Sequence, residues 1–381
     1  MKKKLLIVSL TVFLITACVY VYIYIQRGFL FGTSTQTFQV NQQADFYLLT
    51  EKSIFSYQLN NNVPSELDHQ SIQLSENVHP WLQKGELHNR YLLFSAGDEF
   101  DSTKDERIVS IDFKEGQIKK QYTPYYAYSG SGISDNFFYT SQATTEDSTL
   151  YAFDENGNLK KSFFFNEATT PAAQFFGANG KLYFLATQIG RNDDSIYEHT
   201  LFILDETPEL KINEKIFLDD NSEYAYGFYG MEIIDDTVYA PIPMIRDRKT
   251  HEKLPYNFLF KMNLKTKEKH FIELEENDPL LVLKSKNEKY LILQHDTSTL
   301  GKIGISVVDL KTENNYFINI GELVSSQDLF KDDIVSMNTT TDNRLFVLTK
   351  KFLLIFDLQS GTLLSPTAVP EDEIPIYIWV N

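Results

Sequence analysis

Seven histidines and one cysteine are the first candidates for metal or nucleophilic chemistry in this chain, and their spacing supports neither. His69, His79, His88, His199, His251, His270 and His295 never fall at the His-x-His or His-x-x-x-His spacing that turns two imidazoles toward one ion, so no metal is expected. Cys18 has no second thiol to join in a zinc site or a disulfide. There is no Gly-x-Ser-x-Gly elbow, phosphate-binding loop or dinucleotide fingerprint, and no residue stands out as catalytic. The stretch from Asp98 to Asp105 places oxygen ligands at alternate positions. It lacks the glycine and the terminal bidentate Glu of a calcium loop, and reads as a solvated loop. Arg246 to Lys253 likewise reads as an exposed charged loop.

Aromatic clusters remain. Tyr125-Tyr126-Ala127-Tyr128-Ser129-Gly130-Ser131-Gly132 and Tyr224-Ala225-Tyr226-Gly227-Phe228-Tyr229-Gly230 are the longest, with Phe175-Phe176-Gly177 as a shorter third. Tyrosine offers a flat face and a hydroxyl to a sugar or peptide, while glycine admits close backbone approach. Tyr125, Tyr126, Tyr128, Tyr224, Tyr226 and Tyr229 are therefore the candidate ligand-binding residues. Plain packing between strands is the competing reading.

A repeat positions these clusters. A word of alternating apolar residues ending in Asp or a polar substitute recurs as IFSYQ, IVSID, LYAFD, LFILD, LFKMN, ISVVD and LLIFD, ending at residues 58, 112, 154, 205, 263, 309 and 357. The mean spacing is about 50 residues. A β-rich run precedes each word, such as Tyr91-Leu92-Leu93-Phe94 or Leu345-Phe346-Val347-Leu348. Turn residues such as Glu115-Gly116, Asn156-Gly157 and Ser360-Gly361 come after. Strand, hairpin, strand, turn and strand, repeated without helical periodicity, predict an all-β chain folded as a β-propeller. Seven words predict seven blades, give or take one. The innermost strand of each blade would follow the connection from the blade before, which puts the tyrosine clusters at the axial channel.

The LYAFD word with its Asn156-Gly157 turn, and Asp357 to Gly361 with Ser360-Gly361, resemble the repeats of quinoprotein-like propellers. The resemblance implies the propeller fold. The tryptophans, Trp81 and Trp379, stand outside that family's blade-locking register, and no quinone or other cofactor is expected. The segment Ile374-Pro375-Ile376-Tyr377-Ile378-Trp379-Val380 reads as a strand that pairs with the blade begun by Phe46 to Leu49, joining the chain's two ends.

Residues 1–27 hold Lys2, Lys3, Lys4 and Arg27 and no acid. Leu5 to Ile25 is uncharged for 21 residues, close to the ~20 that cross a hydrocarbon core as a helix. The lysines before it place the N-terminus in the cytoplasm and the rest outside, with Tyr20, Tyr22 and Tyr24 at the outer interface. A second reading takes Ile15-Thr16-Ala17-Cys18 as a lipobox, with lipidation at Cys18 after cleavage. Both readings tether the chain to the outer face of a bacterial cell membrane. The division is then 1–27 anchor, 28–35 linker and 36–381 propeller. Beyond residue 27 there are 31 basic and 52 acidic residues, a net charge of −21 that repels phosphate backbones and excludes nucleic acid as a partner.

The expected function is an extracytoplasmic binding or scaffold protein for an envelope protein, a peptide or a cell-wall glycan. The alternative is a lyase or hydrolase with its active site in the axial channel, where residues from several blades would converge without a linear motif.

Overall fold

The computed structural model describes residues 33–72, 74, 84–87, 90–96, 107–122, 128–143, 148–165, 169–189, 196–323 and 333–381. Strand β1 (Thr33–Thr37) is followed by β2 (Phe46–Thr50), β3 (Ser53–Asn60) and β4 (Val63–Ser71). Next come β5 (Lys84–Leu87), β6 (Tyr91–Ala96), β7 (Arg107–Asp112) and β8 (Gln117–Tyr122), then β9 (Tyr128–Ile133), β10 (Phe138–Ala143), β11 (Ser148–Phe153) and β12 (Leu159–Phe165). The chain continues through β13 (Thr169–Ala178), β14 (Lys181–Ile189), β15 (Tyr197–Asp205) and β16 (Lys211–Phe217) to β17 (Tyr224–Gly227), β18 (Glu232–Ile234), β19 (Thr237–Asp247), β20 (Lys253–Asn263) and β21 (Lys269–Glu273). Last are β22 (Pro279–Lys284), β23 (Tyr290–His295), β24 (Gly304–Asp309) and β25 (Asn315–Asn319), then β26 (Ile334–Thr339), β27 (Arg344–Thr349), β28 (Phe352–Asp357), β29 (Leu363–Ala368) and β30 (Pro375–Val380). Strands β2–β4, β5–β8, β9–β12, β13–β16, β17–β21, β22–β25 and β26–β29 are antiparallel sets, and together they form a β-propeller.

The recurring word is the third strand of each blade, and at Asp112, Asp154, Asn263, Asp309 and Asp357 its polar end makes the following turn. Asp309 Oδ1 accepts the backbone N–H groups of Lys311 (2.9 Å) and Thr312 (2.8 Å), and the amide of Glu313 returns to the carbonyl of Asp309. Glu313 takes φ 61°, the left-handed residue that lets a type I turn rejoin the ladder. Asp357 repeats the arrangement with Gln359, Ser360 and Gly361, and Asn263 does so with Lys265, Thr266 and Lys267. Spacing of the word is thus a record of turn chemistry.

Alternation along the second and third strands sends each face to a different neighbour. Phe46 and Leu48 of β2 meet Phe346 and Leu348 of β27, while Tyr47 and Leu49 meet Leu92 and Phe94 of β6. Leu345 and Val347 of β27 turn the other way, to Ile292 and Val307. Leu291 and Leu293 in turn meet Tyr239 and Leu259. Leu93 and Ile108 meet Phe138 and Phe153, and one large cluster joins the blades from β9 to β21. Full burial of such a side chain contributes about 1.5–3 kcal/mol, so stability resides between blades as much as within them.

The C-terminal strand closes the ring. β30 pairs antiparallel with β2, from Phe46 opposite Val380 to Leu49 opposite Tyr377, as the closing reading of Ile374 to Val380 expects. Trp379 lies flat on Phe113, with ring centroids 4.4 Å apart.

Strand β1 departs from the expected division. It pairs with β8 as a fifth, outermost strand, Thr33 opposite Gln121 through Thr37 opposite Gln117, so among the described residues the first strand opens at Thr33, inside the expected 28–35 linker. The Thr-rich run covers backbone groups that the edge of β8 would otherwise present unpaired. Residues 5–25, with Cys18 among them, and the loop from Asp98 to Asp105 lie outside the described residues. Among the described residues no helix is long and apolar enough to cross a membrane.

Candidate functional site

The innermost strands are tied to one another. β9 and β13 form a parallel ladder, with Phe175 opposite Gly132. A Cβ added at Gly132 would stand 2.0 Å from the carbonyl oxygen of Phe175, so glycine is required for this approach. On the other side of the ring, Asn338 Nδ2 donates to the carbonyl of Ile378 (3.2 Å), and the Ile378 amide points to Ser336 Oγ (3.5 Å). Lys286 reaches across with its Nζ to the carbonyl of Val380 (2.7 Å), and its amide donates to Thr339 Oγ1 (2.8 Å). Side chains of one blade thus satisfy the free edge of the next.

Of the candidate tyrosines, Tyr125 and Tyr126 lie outside the described residues, and Tyr128 begins the inner strand β9, its Cα opposite Gln142. Tyr224, Tyr226 and Tyr229 fall on the inner strand of another blade, which is broken into β17 and β18. Tyr226 is buried in the large cluster against Phe228 and Phe271. Its amide donates to Asp219 Oδ1 (2.6 Å) and its hydroxyl accepts from Asn221 Nδ2 (3.2 Å). Tyr224 packs half-buried on the same cluster. Tyr229, in the gap between β17 and β18, is 42% exposed and is the member of this trio that a ligand can reach. Phe175 and Phe176 also pack into the cluster.

A carboxylate absent from the expected site lies beside it. Glu232 opens β18, and its Oε1 accepts the backbone N–H of Lys284 on the next inner strand, β22 (3.3 Å). Glu232 is half-buried. Burial lifts its pKa to about 7, against the opposing pull of the Lys284 charge and amide. Such a carboxyl exchanges a proton near neutral pH. Its sequence signal was an acid inside the apolar run Met231-Glu232-Ile233-Ile234.

At the opposite end of β17, the buried carboxylate of Asp219 accepts the amides of both His199 and Tyr226, pinning blade to blade. His199 Nδ1 stands 3.5 Å from the same carboxylate. Arg248 pairs with buried Glu198 (2.7 Å) and donates to the carbonyls of Asn221 (3.0 Å) and Asp219 (3.3 Å). The loop from Arg246 to Lys253, read as exposed, therefore sends one cation inward because an unpaired Glu198 would be costly to bury.

Two further polar pairs have the look of chemistry and the setting of structure. His295 Nδ1 lies 2.6 Å from the carbonyl of Asn277 and Nε2 lies 2.8 Å from Ser306 Oγ. Burial holds this imidazole below its usual pKa, favouring the neutral ring that can donate at one nitrogen and accept at the other. Ser306 is fully buried on a central strand, so the pair locks β23 to β24 and offers no nucleophile to a substrate. Tyr139 likewise donates to the buried carboxylate of Glu206 (2.6 Å), joining two blades. Among the described residues no group of three or more His, Cys, Asp or Glu is placed to hold a metal.

No protein-family model matches the chain, and no curated protein matches it by sequence. Solved structures match it by shape. The dihydro-heme d1 dehydrogenase NirN aligns with 92% of this chain and 80% of its own, at 8% identity and TM-score 0.54. A functionally unknown protein from Desulfotomaculum acetoxidans aligns over 88% and 99% respectively, at 12% identity and TM-score 0.54. An apocarotenoid oxygenase from Synechocystis aligns over 91% and 95%, at 9% identity and TM-score 0.50. Likeness at such identities is one of fold alone, and it agrees with the β-propeller.

Proposed function

We propose that this chain is a membrane-tethered, extracytoplasmic β-propeller of seven blades, of the quinoprotein-like type, acting as a binding or scaffold protein. Its partner is an envelope protein, a peptide or a cell-wall glycan met on the propeller's loop-bearing surface. Residues 5–25 supply the tether, as a spanning helix or through lipidation at Cys18. The observation that carries this reading is the bonding of inner strands to one another, through the β9–β13 ladder and the Asn338, Ser336 and Lys286 bonds to β30. Those bonds commit inner-strand groups to holding the ring together, which supports recognition on the faces. On the face where blades connect, Asp220, Glu275-Glu276 and Glu371-Asp372-Glu373 add negative charge, which favours basic over anionic partners at long range. Crosslinking of the full chain on intact cells should return one partner above background, in an amount that falls when an excess of soluble propeller competes. Recovery of background proteins alone overturns the reading.

Glu232 favours the second reading, an axial lyase or hydrolase in which this carboxyl acts as general acid or base. Turnover of a glycan substrate that vanishes in Glu232→Gln, with the fold retained, would establish it.

A further inference from the structure

We infer that the rim edged by β1 and β8 rests against the lipid headgroups of the membrane that residues 5–25 would cross; this rests on the tether proposed above. The pairing of β1 fixes where the chain enters the propeller, since Thr33 lies opposite Gln121 on the outermost edge of its blade. Seven residues separate Ile25 from Thr33, a reach of at most about 24 Å when fully extended. A domain of this length is roughly 50 Å across, so the edge that carries β1 is the near one. The intervening Gly28-Phe29-Leu30-Phe31-Gly32 is apolar and aromatic in composition, as a membrane-interface segment is.

Charge points the same way. Residues 28–44 and 116–134, which contain β1 and β8, hold Lys119 and Lys120 as their only charged side chains, in a chain where 23% of residues are charged and acids prevail. Strands β1 and β8 carry no acid, and with Lys119 held by Asn156 Oδ1 of the next blade their edge is close to neutral, so it can approach anionic headgroups where the more acidic surface is repelled. The strand Thr33–Thr37, with hydroxyl side chains at four positions and an amide at Gln36, suits a hydrated headgroup layer.

The test uses the full chain, reconstituted in vesicles of phosphatidylglycerol and phosphatidylethanolamine containing a headgroup spin-labelled lipid. A fluorophore is carried on an unnatural amino acid at Ser34, at Thr35, or at Glu273 on the outer strand β21 three blades away. Flotation with the vesicles is measured on the same samples. The inference predicts quenching at residues 34 and 35 at least threefold stronger than at 273. Equal quenching at all three positions on floated protein overturns the rim contact and leaves the tether standing. Protein that stays out of the floated fraction overturns both.

Discussion

Removing the indole of Trp379 tests whether the chain's two ends hold the ring shut. Trp379 is 2% exposed, stacks on Phe113 at 4.4 Å and donates from its ring N–H to Asn381 Oδ1 (3.1 Å). It belongs to the cluster that joins β30 and β2 to the blade of β5 to β8. Truncation of a buried tryptophan to alanine costs about 3–5 kcal/mol, because the cavity between two blades cannot collapse without moving a strand. With an unfolding entropy of about 2.1 cal/mol/K per residue, a propeller of roughly 350 residues loses about 1.4 °C per kcal/mol. Trp379→Ala is therefore expected to lower Tm by about 4–7 °C. Differential scanning calorimetry of the propeller reads this directly, with Val63→Ala, an exposed position, as the control. A shift below about 2 °C, or one equal to the control's, would refute the reasoning from inter-blade burial.

Other perturbations separate the remaining contacts. Gly132→Ala forces its methyl against the carbonyl of Phe175 and opens the β9–β13 ladder; about 2–4 kcal/mol should be lost, seen as faster amide exchange at Phe175 and Phe176. The folded pKa of Glu232 is raised above the unfolded value of about 4.5, so the folded state holds an extra proton in between and stability falls as pH rises toward 7. Glu232→Gln should then raise Tm at pH 8 by about 1–3 °C, after allowance for solvent screening, and by less at pH 5; equal gains at both pH values would contradict the assignment. Asp112 is pushed up by burial but pulled further down by the Arg90 fork (2.8 and 2.5 Å) and two turn amides, a net lowering. Its contribution is present above the unfolded aspartate pKa near ~3.9 and is lost as pH falls below it, so Asp112→Asn should flatten the acid limb of a Tm-against-pH curve while costing about 2 °C near neutrality.

Blade order was readable in the sequence because second and third strands are buried on both faces and the third is followed by a turn with strict demands. Asp309 and Asp357 sit where a carboxylate must accept two amides, and Gly116 and Gly361 where φ is positive, so the words repeat. The closing strand was readable for the same reason, as Ile376 to Val380 is apolar throughout. Strand β1 was not, because an outermost strand of Thr, Ser and Gln has no buried face to impose a pattern. The site was harder still. Tyr226 carries the residue type of a ligand platform, but Asp219 draws its amide inward and Phe271 covers its ring. Glu232 meets Lys284 from 52 residues away, a pairing set by the ring's curvature and by no local spacing.

The central claim is that recognition occurs on the faces while the axis is structural. The most direct measurement is photocrosslinking on intact cells, with a photoreactive phenylalanine analogue placed at Glu275 or Glu371 on the connecting face, or at Glu232 on the axis. The account predicts a discrete protein or glycan adduct from a face position and none from residue 232. Adducts formed at residue 232, with both face positions silent, would contradict it.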